Sequence, residues 1–121
     1  MATGAANSKE VDLAVKKVKK YNRNLCLMQC NTNYTGERIN FKYLNLNVLE
    51  EYRKKYKVIT GLSDHTPGDL SVIAAVALGA RVIEKHFTDD NSREGPDHYF
   101  SMNPLTWKKM VDKVRDVESM L

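Results

Sequence analysis

Two apolar runs in this chain end in the same way. Val58-Ile-Thr-Gly-Leu-Ser-Asp-His65 and Arg81-Val-Ile-Glu-Lys-His86 each pass through aliphatic residues to an imidazole. Side chains alternate along a strand, so Ile59, Gly61, Ser63 and His65 share one side of the first run, and Val82, Glu84 and His86 one side of the second. If the runs are parallel neighbours, Ser63, His65, Glu84 and His86 gather at the strands' carboxyl ends. Two imidazoles with a carboxylate nearby suit a divalent metal: imidazole takes Zn, Fe, Mn or Cu, and a carboxylate adds harder character. Two protein ligands leave positions for substrate oxygens, so such a metal would act as a Lewis acid. The plainer reading makes each histidine a surface or hydrogen-bonded residue, and the residues alone do not choose. Gly61 either makes room for a ligand or fits a crowded layer. Asp64 and Lys85 point the other way. Asp64 is expected to fix the loop or a histidine ring, and Lys85 to snorkel between helices.

Other polar groups fall at the same edge. Asn31, Thr32, Asn33 and Tyr34 follow the short apolar run Leu25–Cys30 and offer amides and hydroxyls to a polyol or phosphate, although Asx-rich turns are also common without any ligand. Asp97 lies in a long polar loop, 87–102, of the kind that is often functional inside a compact domain. Cys30 ends an apolar strand and reads as an inert buried thiol.

The elements that would position these groups alternate. Asn7 with Glu10 three residues on is a capping-box pattern, and Val11, Ala14, Val15 and Val18 recur at helical spacing, so a helix is expected over 8–20. Leu25–Cys30 reads as a strand. A second helix is expected over 41–56, a strand over 58–62, and an apolar, buried helix over 70–78 with Asp69 as its cap and Gly79 just past its end. A third strand spans 82–86. Asn103 and Pro104 then open a last helix whose stripe runs from Trp107 to Leu121. Residues 1–6 read as a loop following a strand. Unbroken alternation with buried strands means a parallel α/β sheet covered by helices. A whole (β/α)8 barrel takes about 250 residues. The 121 residues therefore predict a single partial domain, half of a TIM barrel with strands six to eight, or else a small three-layer sandwich.

Composition narrows the function classes. A hydrophobic fraction of 42% and a charged fraction of 28% are those of an ordinary globular domain. The net charge of +4 is concentrated in 16–20 and 53–57, near helix ends where cations are favoured, which reads as solvated helix faces; a nucleic-acid surface would more convincingly show interleaved aromatics or a known module. Cys26 and Cys30 would lie about 13 Å apart on one strand, too far for a disulfide. They read as reduced thiols, which predicts a cytoplasmic protein. No membrane span or secretory signal is visible.

Taken together, Gly61-Leu-Ser-Asp-His-Thr66, Ala75-Val-Ala-Leu-Gly-Ala80, Glu84-Lys-His-Phe-Thr88, Gly95-Pro-Asp97 and Ser101-Met-Asn-Pro104 resemble the sialic acid synthase family, which includes N-acetylneuraminate, legionaminate and pseudaminate synthases. The resemblance covers nearly the whole chain in order. Ala2-Thr-Gly4 is similar to the family's Ser-Thr-Gly at the end of strand five, and Leu27–Tyr34 to its Cys-containing loop ending in Tyr. The resemblance implies a TIM barrel that condenses phosphoenolpyruvate with an N-acetylated amino sugar of the N-acetylmannosamine type, giving a nine-carbon sugar acid and phosphate, with a divalent metal, Mn2+ or Mg2+. It implies His65 and His86 as metal ligands, also counted with Glu84 among the catalytic residues. Glu84 would be the carboxylate near the metal and its water. Ser63 would bind phosphate, Tyr34 and Asp97 would meet the sugar, and Thr32 would stand where Asn or Ser is usual, still able to donate. Ala2 replaces a Ser, and Thr35-Gly36 replaces a common Pro. Neither the first half of the barrel, with its phosphate-binding lysines, nor an antifreeze-like domain is expected within these residues. The chain alone is accordingly expected to be inactive, with pairing of two copies into a homodimer as a route to closing the sheet. The competing expectation is a non-catalytic metal- or sugar-phosphate-binding half-barrel module.

Overall fold

The computed structural model describes residues 1–121, and helix and strand alternate through them. The first helix, α1 (Ser8–Tyr21), begins at the expected cap. Asn7 Oδ1 accepts from the amides of Lys9 and Glu10, and the Glu10 carboxylate accepts from the Asn7 amide. These bonds satisfy donors that no helical turn could reach. Val11 and Val15 fall on the buried stripe and pack with Leu25, Leu27 and Val58.

Three parallel strands form one sheet in chain order: β1 (Cys26–Cys30), β2 (Ile59–Asp64) and β3 (Val82–Lys85). Residues 1–3, expected as loop, lie alongside β1 instead. Ala2 bridges Met28 in parallel, the Met28 amide donates to the Met1 carbonyl at 2.9 Å, and the Thr3 amide donates to the Met28 carbonyl at 3.0 Å. This segment therefore has the course of a preceding strand's end.

The second helix is shorter than its hydrophobic pattern suggests. A 3₁₀ turn covers Arg38–Tyr43, Leu44 is extended, and α2 occupies only Val48–Tyr56. Leu44 and Leu46 both pack on the same core cluster. Residues two apart reach one side in extended chain but not in a helix, so burying both ends the helical reading there. Asn40 reinforces the break: fully buried, it spends its side-chain amide on the Asn33 carbonyl at 2.9 Å.

The third helix, α3 (Leu70–Ala77), is buried on one side only. Ser71, Val72, Ala75 and Val76 face inward, while Leu70 is 59% exposed, so the expectation of a wholly buried helix fails. The helix forms part of an outer layer that packs on β2 and on α4 (Pro104–Ser119), leaving its far side open. Asp69 does not cap it. Its backbone is already helical rather than extended, and its carboxylate accepts from Lys113 Nζ at 2.7 Å. Gly79, at φ +92, does end the helix: its amide bonds Val76 and that of Ala80 bonds Ala75, both at 2.9 Å. This is the Schellman arrangement, for which a left-handed residue is needed. Asn103 and Pro104 open α4 as the sequence predicts, with Thr106 completing the capping box.

The helix-facing side of the sheet carries the core. Leu62 is fully buried among Leu49, Val72, Ala75, Ala80, Met102 and Met110. Burial of one such leucine contributes about 1.5–3 kcal/mol. Gly61 lies on the opposite side. A Cβ there would collide with the Val82 carbonyl and meet Met28 Cγ at 3.2 Å, so the glycine serves close strand packing. Cys26 and Cys30 are free thiols. No helix is long and apolar enough to cross a membrane.

Candidate functional site

The parallel register brings the sequence-selected groups together. Ser63 lies opposite Glu84, and Asp64 opposite Lys85. His65 and His86 each follow one residue past this last pair. Ser63, 2% exposed, donates its hydroxyl to Glu84 Oε1 at 2.7 Å. The two imidazole centroids are 5.0 Å apart and nearly perpendicular at 79°.

His65 is held firmly. It is 4% exposed, and its Nδ1 is 2.6 Å from the Asn31 backbone carbonyl. A carbonyl only accepts, so Nδ1 carries the proton, and a neutral ring keeps its lone pair on Nε2. Burial lowers the His65 pKa below the ordinary imidazole value. The Asn31 carbonyl opposes this, and repulsion from His86 adds to the lowering. The ring is thus biased toward the neutral form that a metal requires.

Tyr34 covers the pair, its ring 4.0 Å from His65 and 5.3 Å from His86, and Phe100 lies 5.2 Å from His86. Asp97 Oδ2 is 3.6 Å from His86 Nδ1, near enough for charge attraction but too far for a direct hydrogen bond. Thr32 sits exposed at the rim with its methyl toward Gly4, beside the cluster rather than in it. Cys30 Sγ is 4.0 Å from His65 Nδ1.

Two loops meet over this edge. The loop after β3 is closed at its base by the Phe87–Met102 bridge and stiffened by Asn91, whose side chain donates to the carbonyls of His98 and Ser101. Tyr99 donates its hydroxyl to the Thr35 carbonyl at 2.6 Å, tying this loop to the one after β1. Gly36, at φ +63, lies under Phe100, and a Cβ there would collide with that ring. The Thr35-Gly36 departure therefore fits a close loop-to-loop contact.

Some contributors escaped the sequence reading. Asn31 acts through its backbone carbonyl, which no side-chain pattern reveals. Asn40 braces the loop after β1 and reaches the His65 carbonyl at 3.5 Å; its one signal was a polar residue between Ile39 and Phe41. Phe100 could have been noticed as an aromatic in a polar loop. Lys85 does not snorkel: its side chain is 2% exposed and paired with Asp64, because Asp64 lies opposite it on the covered face.

The donor set fits a divalent cation as a two-imidazole half-site. Three or more His, Cys, Asp or Glu groups do not converge on one point, so further ligands would come from elsewhere. A separate cleft of about 630 Å³ opens beside Glu50, Arg53, Ile59, Leu78 and Arg81, and none of the paired imidazole residues lines it.

The sequence profile of the NeuB family matches residues 1–121. An N,N'-diacetyllegionaminic acid synthase of Legionella pneumophila is 39% identical over 126 residues, covering 100% of this chain and 35% of that protein. The human N-acetylneuraminate-9-phosphate synthase is 40% identical over 105 residues, covering 86% of this chain and 28% of its own length. The crystal structure of an N-acetylneuraminic acid synthetase from Leptospira borgpetersenii, in complex with citrate, superposes with a TM-score of 0.89 at 31% identity, over 98% of this chain and 41% of that one. The chain thus spans about a third of the length of these curated relatives, and the three-stranded α/β unit corresponds to part of the TIM barrel of such synthases.

Proposed function

Because the chain belongs to the NeuB family, we propose that it forms the carboxyl-terminal half of a synthase barrel and carries part of a site that makes a sialic-acid-type sugar. The substrates in this reading are phosphoenolpyruvate and an N-acetylmannosamine-type sugar. The enol carbon of phosphoenolpyruvate bonds to the aldehyde carbon of the open-chain sugar, water adds to the carbon bearing the phosphate, and inorganic phosphate leaves. The observation that carries the proposal is the pair of imidazoles at one strand edge, 5.0 Å apart, with His65 turned by the Asn31 carbonyl so that Nε2 is free.

A divalent cation, Mn2+ or Mg2+, held by His65 and His86 would supply Lewis acidity toward the aldehyde oxygen. The chain's own residues would do the rest. Glu84, already accepting from Ser63, orients water and takes a proton from it. Ser63 would turn its single hydroxyl proton from Glu84 toward phosphate when phosphate binds, with Thr32 donating beside it at the rim. Tyr34 and Asp97 meet hydroxyls of the sugar. Half of the preorganised charge of such a site lies outside these residues, so the isolated chain turns over little or nothing.

Phosphate release from phosphoenolpyruvate and N-acetylmannosamine, with Mn2+, tests this. None is expected from the monomeric chain. Release is expected once the first half of a family barrel is supplied in trans. Mn2+ binding without turnover in that mixture would favour the non-catalytic module instead. Ile59 and Val82 are 56% and 40% exposed on the inner face, and β3 has an open edge. These features support a homodimer in which a second copy covers that face. Light scattering would show the doubled mass, and a monomeric mass would dismiss the homodimer.

A further inference from the structure

A second polar cluster occupies the other side of the same strands and takes no part in the chemistry above. Asp64 and Lys85 are register partners, each one residue before a histidine of the pair. Their side chains are 0% and 2% exposed and meet at 2.7 Å. Asp64 also accepts from the Thr66 amide at 3.0 Å, the Thr66 hydroxyl at 2.8 Å and the Ser71 hydroxyl at 2.6 Å. Lys85 Nζ donates in addition to the Thr66 carbonyl. The cluster joins the end of β2, the turn after it, the first turn of α3 and the end of β3.

Stability alone does not call for this arrangement. Withdrawing two charges from water costs several kcal/mol per ion, and a well-packed apolar pair often serves as well. What a satisfied, charge-assisted network supplies is direction: its bonds are short and hold a fixed geometry. The location makes that relevant. The β2–β3 register stops at Asp64 and Lys85, so His65 and His86 stand one residue beyond the last pair that joins the two strands. His65 is also bracketed in sequence by Asp64 and Thr66, both members of the network.

We infer that Asp64, Lys85, Thr66 and Ser71 are positioning residues that set the spacing and orientation of His65 and His86 from the far side of the sheet. The consequence for cation binding rests on the function proposed above; the consequence for the rings does not.

The test compares the 121-residue chain with its Asp64→Asn/Lys85→Met variant, which removes both charges and strands neither. The first readout needs no metal. The His65 Nδ1 proton, held by the Asn31 carbonyl, is expected as a slowly exchanging downfield imidazole N–H resonance in the wild type, and its exchange is expected to accelerate in the variant. The second readout is Mn2+ affinity from the electron paramagnetic resonance signal of free ion, expected to fall by about 10–100-fold, the usual loss when an outer partner of a ligand is removed. Thermal melting establishes that the variant is folded. A folded variant with unchanged proton exchange and unchanged affinity overturns the inference. Should the double variant not fold, Ser71→Ala removes a single bond to Asp64, and the same two readouts decide in the same sense. A wild type that binds no Mn2+ defeats the metal reading and leaves the proton readout to judge positioning.

Discussion

The two sides of β2 and β3 are built on the same residues of backbone, one position out of phase, and they treat polar groups differently. On the helix-covered side, Asp64 and Lys85 are dry, and their charged atoms are bonded within the protein. On the other side, Ser63 and His65 are buried, but Glu84 is exposed and the His86 side chain is 23% accessible. The charges on the closed side are spent on one another and on neighbouring hydroxyl and backbone groups, so they hold shape. The open side keeps an imidazole nitrogen and a carboxylate oxygen available. A period of two lets one strand pair carry both, because adjacent residues never share an environment.

The contrast is broken most directly by Lys85→Met alone. It leaves Asp64 charged and unpaired in a dry site, and urea unfolding is expected to show a loss of about 3–5 kcal/mol. A loss below about 1 kcal/mol would mean that water reaches Asp64 and that the two sides are alike. On the open side the expected effect falls on binding instead. His86→Ala removes a proposed ligand and should weaken Mn2+ binding by at least about 100-fold, beyond the range for outer partners, while unfolding free energy shifts by less than about 1 kcal/mol. Comparable Mn2+ affinity in that variant would rule the imidazole pair out as the cation site.

Smaller changes sharpen the comparison. Gly61→Ala forces a methyl against the Val82 carbonyl, with an expected cost of about 1–3 kcal/mol in denaturant unfolding; a neutral result would show that the strands can part without penalty. Ser63→Ala removes one bond, but water can reach Glu84, so the expected loss is about 0.5–1.5 kcal/mol. The subtlest expectation concerns pH. The folded pKa of His65 lies below its unfolded value, so between the two the unfolded chain binds more protons. The His65 contribution to stability is complete above the ordinary imidazole pKa of about 6.5 and declines as pH falls below it. Metal-free His65→Asn should show a flatter stability profile through that window, and a profile parallel to the wild type would remove His65 as the cause.

Local features of the fold were legible in the sequence. The Asn7 and Asn103 caps form as their neighbours dictate, because each bond spans three residues or fewer. The inner-face set of Ser63, His65, Glu84 and His86 also followed from alternation once two neighbouring strands were assumed. The break at Leu44 was not legible, since it depends on a core cluster that Leu44 and Leu46 reach together. Nor was the fate of Asp69, a good cap by residue type, whose carboxylate is taken by Lys113 of α4.

By itself, then, the sequence determined the order of helices and strands, the caps that open the first and last helices, which residues alternate to which side, and which family the chain resembles. The tertiary structure decided partners. Lys85 is buried against Asp64 because β3 lies beside β2 in that register, and His65 has one tautomer because the Asn31 carbonyl arrives from the end of β1. Caps and alternation depend on dihedral angles and bonds within a few residues. Ion pairs, tautomers and desolvation depend on groups distant in the chain, which meet only after the sheet has closed its register and the helices have excluded water.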